Sequence, residues 1–259
     1  MKAKNYLSIR VKFEPKRLSI NSAAKELVSI LVGLSELDSL FLYPIVITGQ
    51  KSELSLNLSE ENKERQVSEL ANGILRAEWN EITQYEGDNN PTINYSREDG
   101  YPVLLRFEVK NDIVFWIGCR LGSNINQTFT IRGFSSNNLF EYSWYENVFK
   151  ALVGLTKAEI GTVAISNESF GKFYNQMDIK YPIGWITYFS DSLRYCIPED
   201  LKDTRCEFIE EGKFLYTSDH DFMKDKEAYF SNREKLERVI NEIRDRVPEF
   251  VKKDNNPTA

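Results

Sequence analysis

Between Val103 and Leu121 the chain alternates apolar and polar residues twice over, a pattern that few folds accept. Val103, Leu105, Phe107 and Val109 interleave with Leu104, Arg106, Glu108 and Lys110. After Asn111-Asp112, Phe115, Ile117, Cys119 and Leu121 interleave with Val114, Trp116, Gly118 and Arg120. A period of two sends successive side chains to opposite faces of a sheet, so the stretch reads as two antiparallel strands with one face buried. A third strand follows Gly122-Ser123-Asn124, near Gln127 to Arg132, and completes a β-meander. An odd loop from Asn111 to Ile113 keeps apolar opposite apolar, which predicts Phe107 facing Ile117 and Leu105 facing Cys119.

The meander is set among helices. Tyr6 to Phe13 reads as an opening strand, and a turn at Pro15 leads to a helix from about Ser19 to Leu37. Its stripe of Ile20, Ala23, Ala24, Leu27, Ile30, Leu31 and Leu34 has helical period and is expected to face the core. A second helix is predicted from Ser59 toward Trp79, with Val67, Leu70, Ile74 and Leu75 inward. Tyr85 to Gly100 reads as a long polar loop. Ser143 and Glu146 have capping-box spacing ahead of a third helix, with Trp144, Val148, Ala151, Leu152 and Leu155 on its inner side. Strands are predicted at Gly161–Ser166, Gly184–Ser190, Thr204–Ile209 and Lys213–Ser218. Ser231 with Glu234 opens a closing helix that carries Leu236, Val239, Ile240, Ile243 and Val247 inward. Because strands and helices come in runs, the expected class is α+β: one domain over residues 1–252, an antiparallel sheet against several helices, and a tail at 253–259.

Charge narrows the function. Of 259 residues, 33 are Lys or Arg and 39 are Asp or Glu, a net charge of −6. That sign disfavours direct binding to nucleic acid and suits a basic protein partner. The acidic residues gather in two places: Glu86, Asp88, Glu98 and Asp99 by the long loop, and Glu199, Asp200, Glu207, Glu210, Glu211, Asp219, Asp221 and Asp225 around the late strands. No apolar stretch is long enough to cross a bilayer and no secretory signal is evident, so the cytoplasm is the expected compartment. Cys119, Cys196 and Cys206 are odd in number and lack CxxC spacing; with His220 as the single histidine they make no zinc set. No metal or other cofactor is expected.

Two motifs could carry chemistry. Glu211-Gly212-Lys213, with Asp200 upstream, has the acid–spacer–lysine form by which metal-dependent nucleases hold a divalent ion and activate water. Gly212 between two strand patterns instead signals a hairpin turn whose side chains project into solvent. Asp219-His220-Asp221 could serve acid–base or metal chemistry, but neighbours in an extended segment point to alternate sides. No phosphate-binding glycine loop and no GxSxG elbow occurs. The expectation is therefore a binding protein rather than an enzyme, with the nuclease built on Asp200, Glu211 and Lys213 as the alternative, and an accessory or scaffold protein as a third reading.

Four segments, in order, resemble the immunity protein 52 family of bacterial polymorphic toxin systems. They are Tyr6-Leu7-Ser8-Ile9 with a helix ending Gly33-Leu34-Ser35-Glu36-Leu37-Asp38; the helix Tyr145–Leu155 leading into Gly161-Thr162-Val163-Ala164; Pro182-Ile183-Gly184-Trp185-Ile186-Thr187-Tyr188-Phe189-Ser190; and Phe214-Leu215-Tyr216-Thr217-Ser218-Asp219. The third is the most specific. Where the family has an aromatic-Gly-Pro-Arg type turn after its first strand, this chain has Phe13-Glu14-Pro15-Lys16. The resemblance implies a protein that binds and silences a cognate toxin, a nuclease of restriction-endonuclease-like class with a basic cleft. It implies no catalytic residue. Because their strands end near loops, Tyr188, Asp191, Asp219 and Asp221 are the expected partner contacts, although Trp185 and Tyr188 lie on opposite strand faces and at least one belongs to the core.

Overall fold

The computed structural model describes residues 6–47, 53–59, 63–85, 96, 98–109, 112–125, 127–133, 141–166, 184–191, 205–217, and positions 229, 231, 233, 234 and 236. Among these, ten strands form one open, wholly antiparallel sheet with three helices, the α+β class that the runs of elements predict. In chain order the elements are β1 (Tyr6–Phe13), α1 (Ile20–Ser35), a 3-10 turn (Ser39–Leu42), β2 (Ile45–Ile47), β3 (Glu53–Ser55) and α2 (Lys63–Tyr85). Then follow β4 (Asp99–Val109), β5 (Asp112–Ser123), β6 (Gln127–Gly133), α3 (Tyr142–Thr156), β7 (Ala158–Ser166), β8 (Ile186–Ser190), β9 (Arg205–Ile209) and β10 (Gly212–Tyr216). Across the sheet the strands run β3-β2-β4-β5-β6-β1-β7-β8-β10-β9, so the first strand is central and β9 is an edge.

α1, α2 and α3 lie on one face of the sheet. Ser19 caps α1 through its hydroxyl, which accepts from the Ser22 backbone N–H at 3.2 Å, and every apolar position predicted for its inner stripe is buried. α3 departs from expectation. Glu141 is its N-cap, with no side-chain cap bond, and Ser143 already lies within the helix, so the capping box does not form. The inner face of α3 carries Tyr145, Glu146, Val148, Phe149, Leu152 and Val153, whereas Leu155 is exposed. Phe149 fixes that rotation: its ring lies over Gly161 of β7, where any Cβ would meet ring atoms at 2.7–3.0 Å. At the other end, Phe41, Phe107, Phe115 and Trp144 form an aromatic cluster, with Phe107 and Phe115 stacked at 4.5 Å.

The meander keeps the predicted faces but not the predicted register. Phe107 pairs with Phe115, Leu105 with Ile117 and Val103 with Cys119, two residues away from the expected partners. Glu108 pairs with Ile113, so Val114 is a bulge residue; it makes the short connection compatible with an all-apolar face. Burial alternates along β4, as a sheet with one covered face requires, but every residue of β10 is buried, so both faces are covered there. Ile160, Phe189 and Leu215 are buried on the face away from α3; Tyr229, Arg233 and Leu236, helical positions at i, i+4 and i+7 spacing, are buried too. The closing helix beyond Leu236 and the tail lie outside the described residues.

Candidate functional site

The late strands end in a short hairpin whose turn is built from acids. Gly212 pairs with Ile209, which leaves Glu210-Glu211 as the two-residue connection, both exposed. Gly212 is demanded by close approach: a Cβ there would fall on the carbonyl oxygen of Phe189 and come 2.7 Å from the Tyr188 hydroxyl. That hydroxyl donates to the Glu211 carbonyl at 3.0 Å, and the Asp191 backbone N–H donates to the same oxygen at 2.8 Å. The turn is thereby fastened to the end of β8.

This geometry settles the placement of several expected residues. Tyr188 is 1% exposed, so its ring is core and cannot be a surface contact; it positions Glu211 instead. Trp185 is fully buried as well, because both faces of β8 are covered. Burial, and then the nearby carboxylates of Glu211 and Asp191, push the Tyr188 phenol up to about 12. Asp191 is half-exposed beside the turn. Asp219 and Asp221, like Asp200, lie outside the described residues. Lys213 is buried on β10 with its ammonium 5.8 Å from the Phe208 ring centroid, while Glu211 sits exposed in the turn. Among the described residues no group of three or more His, Cys, Asp or Glu side chains could hold a metal ion.

A polar clamp ties the hairpin to α3. Lys150 on α3 places its ammonium 3.0 Å from Glu146 and 2.8 Å from Glu207 on β9. The Tyr216 hydroxyl lies 2.9 Å from a carboxylate oxygen of each glutamate, and its single proton serves one of them at a time. The Arg205 guanidinium stacks over the Tyr216 ring at 4.2 Å and closes the group. The Lys150 hydrogen bond, outweighing burial, holds the Glu207 carboxyl below its ordinary range, while burial and both glutamates raise the Tyr216 phenol. Glu207 is therefore held by Lys150 and Tyr216, although its side chain is about a third exposed.

What remains outward at this end is β9 itself. As the last strand of the sheet it pairs with β10 alone among the described residues. Phe208 is 68% exposed and Ile209 36% exposed, directly before the Glu210-Glu211 turn. An edge strand presents unpaired backbone groups to another chain, and Phe208 adds a large apolar side chain beside them. Sequence reading missed Phe208, because nothing local shows which strand ends up at an edge.

Fold and site together define an open antiparallel-sheet α+β protein with an exposed apolar–acidic edge hairpin, rigidly braced from behind. Among solved structures, a Pseudomonas aeruginosa T6SS protein, PA0821, is distantly similar, at 8% identity and a TM-score of 0.49, aligned over 83% of this chain. The chain spans 66% of that structure's length. No family model matches the chain, and no curated protein does. None of the helices described is long and apolar enough to cross a membrane.

Proposed function

We propose that the chain is an immunity-type inhibitor that binds and neutralises a cognate protein toxin, docking through the β9–β10 end. The observation that carries the reading is β9, the edge strand among the described residues, with Phe208 exposed beside the Glu210-Glu211 turn. Such an edge offers backbone hydrogen bonds, an apolar anchor and negative charge in one place, which suits a partner with a basic, grooved surface. The four-segment resemblance to the immunity protein 52 family supports the same reading and names the partner class, a nuclease toxin. Occlusion needs no chemistry from the inhibitor: acids held over a basic cleft stand in for phosphate.

The test is co-expression with the product of the neighbouring gene. Growth arrest caused by that product should be relieved by this chain, and a complex should co-purify from the rescued cells. The isolated chain, assayed with Mg²⁺ or Mn²⁺ on DNA and RNA, should cleave neither. Hydrolysis that disappears in Lys213→Ala would replace this reading with the metal-dependent nuclease.

A further inference from the structure

Over β5, β6 and β1 the sheet face turned away from α1, α2 and α3 carries exposed and half-exposed side chains, with no element packed on it among the described residues, and it is basic. Register places Arg120 beside Thr128 and Thr128 beside Lys12, while Gly118 neighbours Thr130 and Thr130 neighbours Arg10. Trp116 neighbours Arg132 one step further along. Arg10, Arg120 and Arg132 are exposed and Lys12 is half-exposed, whereas the same face is closed at β7, where Thr162 and Ala164 are buried. Neighbouring side chains on such a face stand about 5 Å apart across strands and about 7 Å apart along them, so the four cations share one field. Arg10, Lys12 and Arg132 have no carboxylate partner among the described residues, in a chain whose net charge is −6.

Gly118 makes this face more than a solvated surface. It sits in the middle of β5, half-exposed, and a Cβ built there meets nothing within 4 Å. The fold does not require the glycine, yet glycine weakens a strand interior. A flat floor between basic side chains is useful when another chain must approach the sheet closely.

We propose that the open face of β5, β6 and β1 is a second docking surface, for a protein partner that presents an acidic face. A protein is favoured over nucleic acid by the border of the patch. Arg106 on β4 stands over Trp116 at 5.9 Å and is gripped by Glu53 in two contacts of 2.8 Å, with Glu108 2.6 Å from its Nε. The Arg106 guanidinium occupies one side of the Trp116 ring, which leaves less of it for base stacking, and Glu53 and Glu108 on that side oppose a continuous phosphate backbone crossing it. Carboxylates spaced along a peptide meet the cations and avoid that border. This surface is independent of the β9–β10 end, so either can fail without the other.

The experiment is a titration of isotope-labelled full-length protein with a short poly-L-glutamate peptide, followed by amide chemical shifts at low salt, with single-stranded oligodeoxythymidine as the comparison. Shifts should concentrate on amides of β5, β6 and β1 and fade as salt rises. Arg10→Glu with Arg132→Glu should weaken the peptide more than tenfold without lowering the melting temperature. Gly118→Val should weaken it while leaving stability equal or higher, which separates docking from folding. No shifts, shifts centred elsewhere, an undiminished Gly118→Val, or tighter binding of the oligonucleotide would each overturn the proposal.

Discussion

Lys150 carries more than its exposure suggests, because Glu146 on α3 and Glu207 on β9 share its ammonium, with the Tyr216 hydroxyl of β10 bonded between them. Lys150→Met would remove the cation beside Glu146, whose side chain is 9% exposed, while the Tyr216 hydroxyl stays in place. Removing one member of a well-buried pair costs roughly 3–5 kcal/mol. Here Lys150 is 30% exposed and Tyr216 still donates, so a loss of about 2 kcal/mol in urea unfolding is expected. The pH dependence follows from Glu207. Its folded pKa is depressed, so its contribution is present above the ordinary 4.5 and is lost as pH falls through the lower folded value. In Lys150→Met that acid-side loss should shrink, and a melt series across this window reads it directly. An unchanged acid limb would mean that the clamp is not a linked ion-pair group. Cys119 illustrates the opposite case: burial pushes its thiol up to about 12, so it behaves as an apolar filler, as its place in the strand pattern suggests.

Among elements, the β9–β10 hairpin depends on Gly212. Gly212→Ala places a methyl group against backbone at Phe189 and against the hydroxyl that holds Glu211, so it should destabilise by about 2 kcal/mol and raise amide exchange across the turn. Phe208→Lys removes a largely exposed ring and should leave the melting temperature within a degree or two while abolishing toxin protection. Equal protection by Phe208→Lys would take the edge out of the interface. These elements also mark how far the residues speak for themselves. The bounds of β1 and the buried stripe of α1 follow from periodicity, since eight and sixteen residues leave room for a pattern. β2 and β3, of three residues each, are too short to show alternation. The close Val109–Asp112 pairing and the one-residue bulge at Val114 together set the register two residues from the expected one without exchanging faces, something no periodic pattern encodes. For the site, the acidic turn was legible in Glu210-Glu211-Gly212. The edge position of β9, the exposure of Phe208 and the burial of Tyr188 were not, because they follow from strand order across the sheet.

At the scale of the molecule, a modest net charge conceals separation. Basic residues occupy the middle of the sheet on the face away from α1, α2 and α3, while Asp191, Glu210 and Glu211 sit at its far end, with three strands between β1 and β9. Such an arrangement favours oriented encounter, since a basic partner is drawn to one end and turned away from the centre. The central claim is that the acidic edge hairpin docks a basic toxin. Stopped-flow association of the purified chain with the neighbouring gene's product, across a salt series, tests it most directly. The rate should fall steeply as salt rises, and Glu210→Lys with Glu211→Lys should slow it at least tenfold at low salt with the fold intact. A rate indifferent to both salt and these substitutions, or no complex at all, would contradict the account.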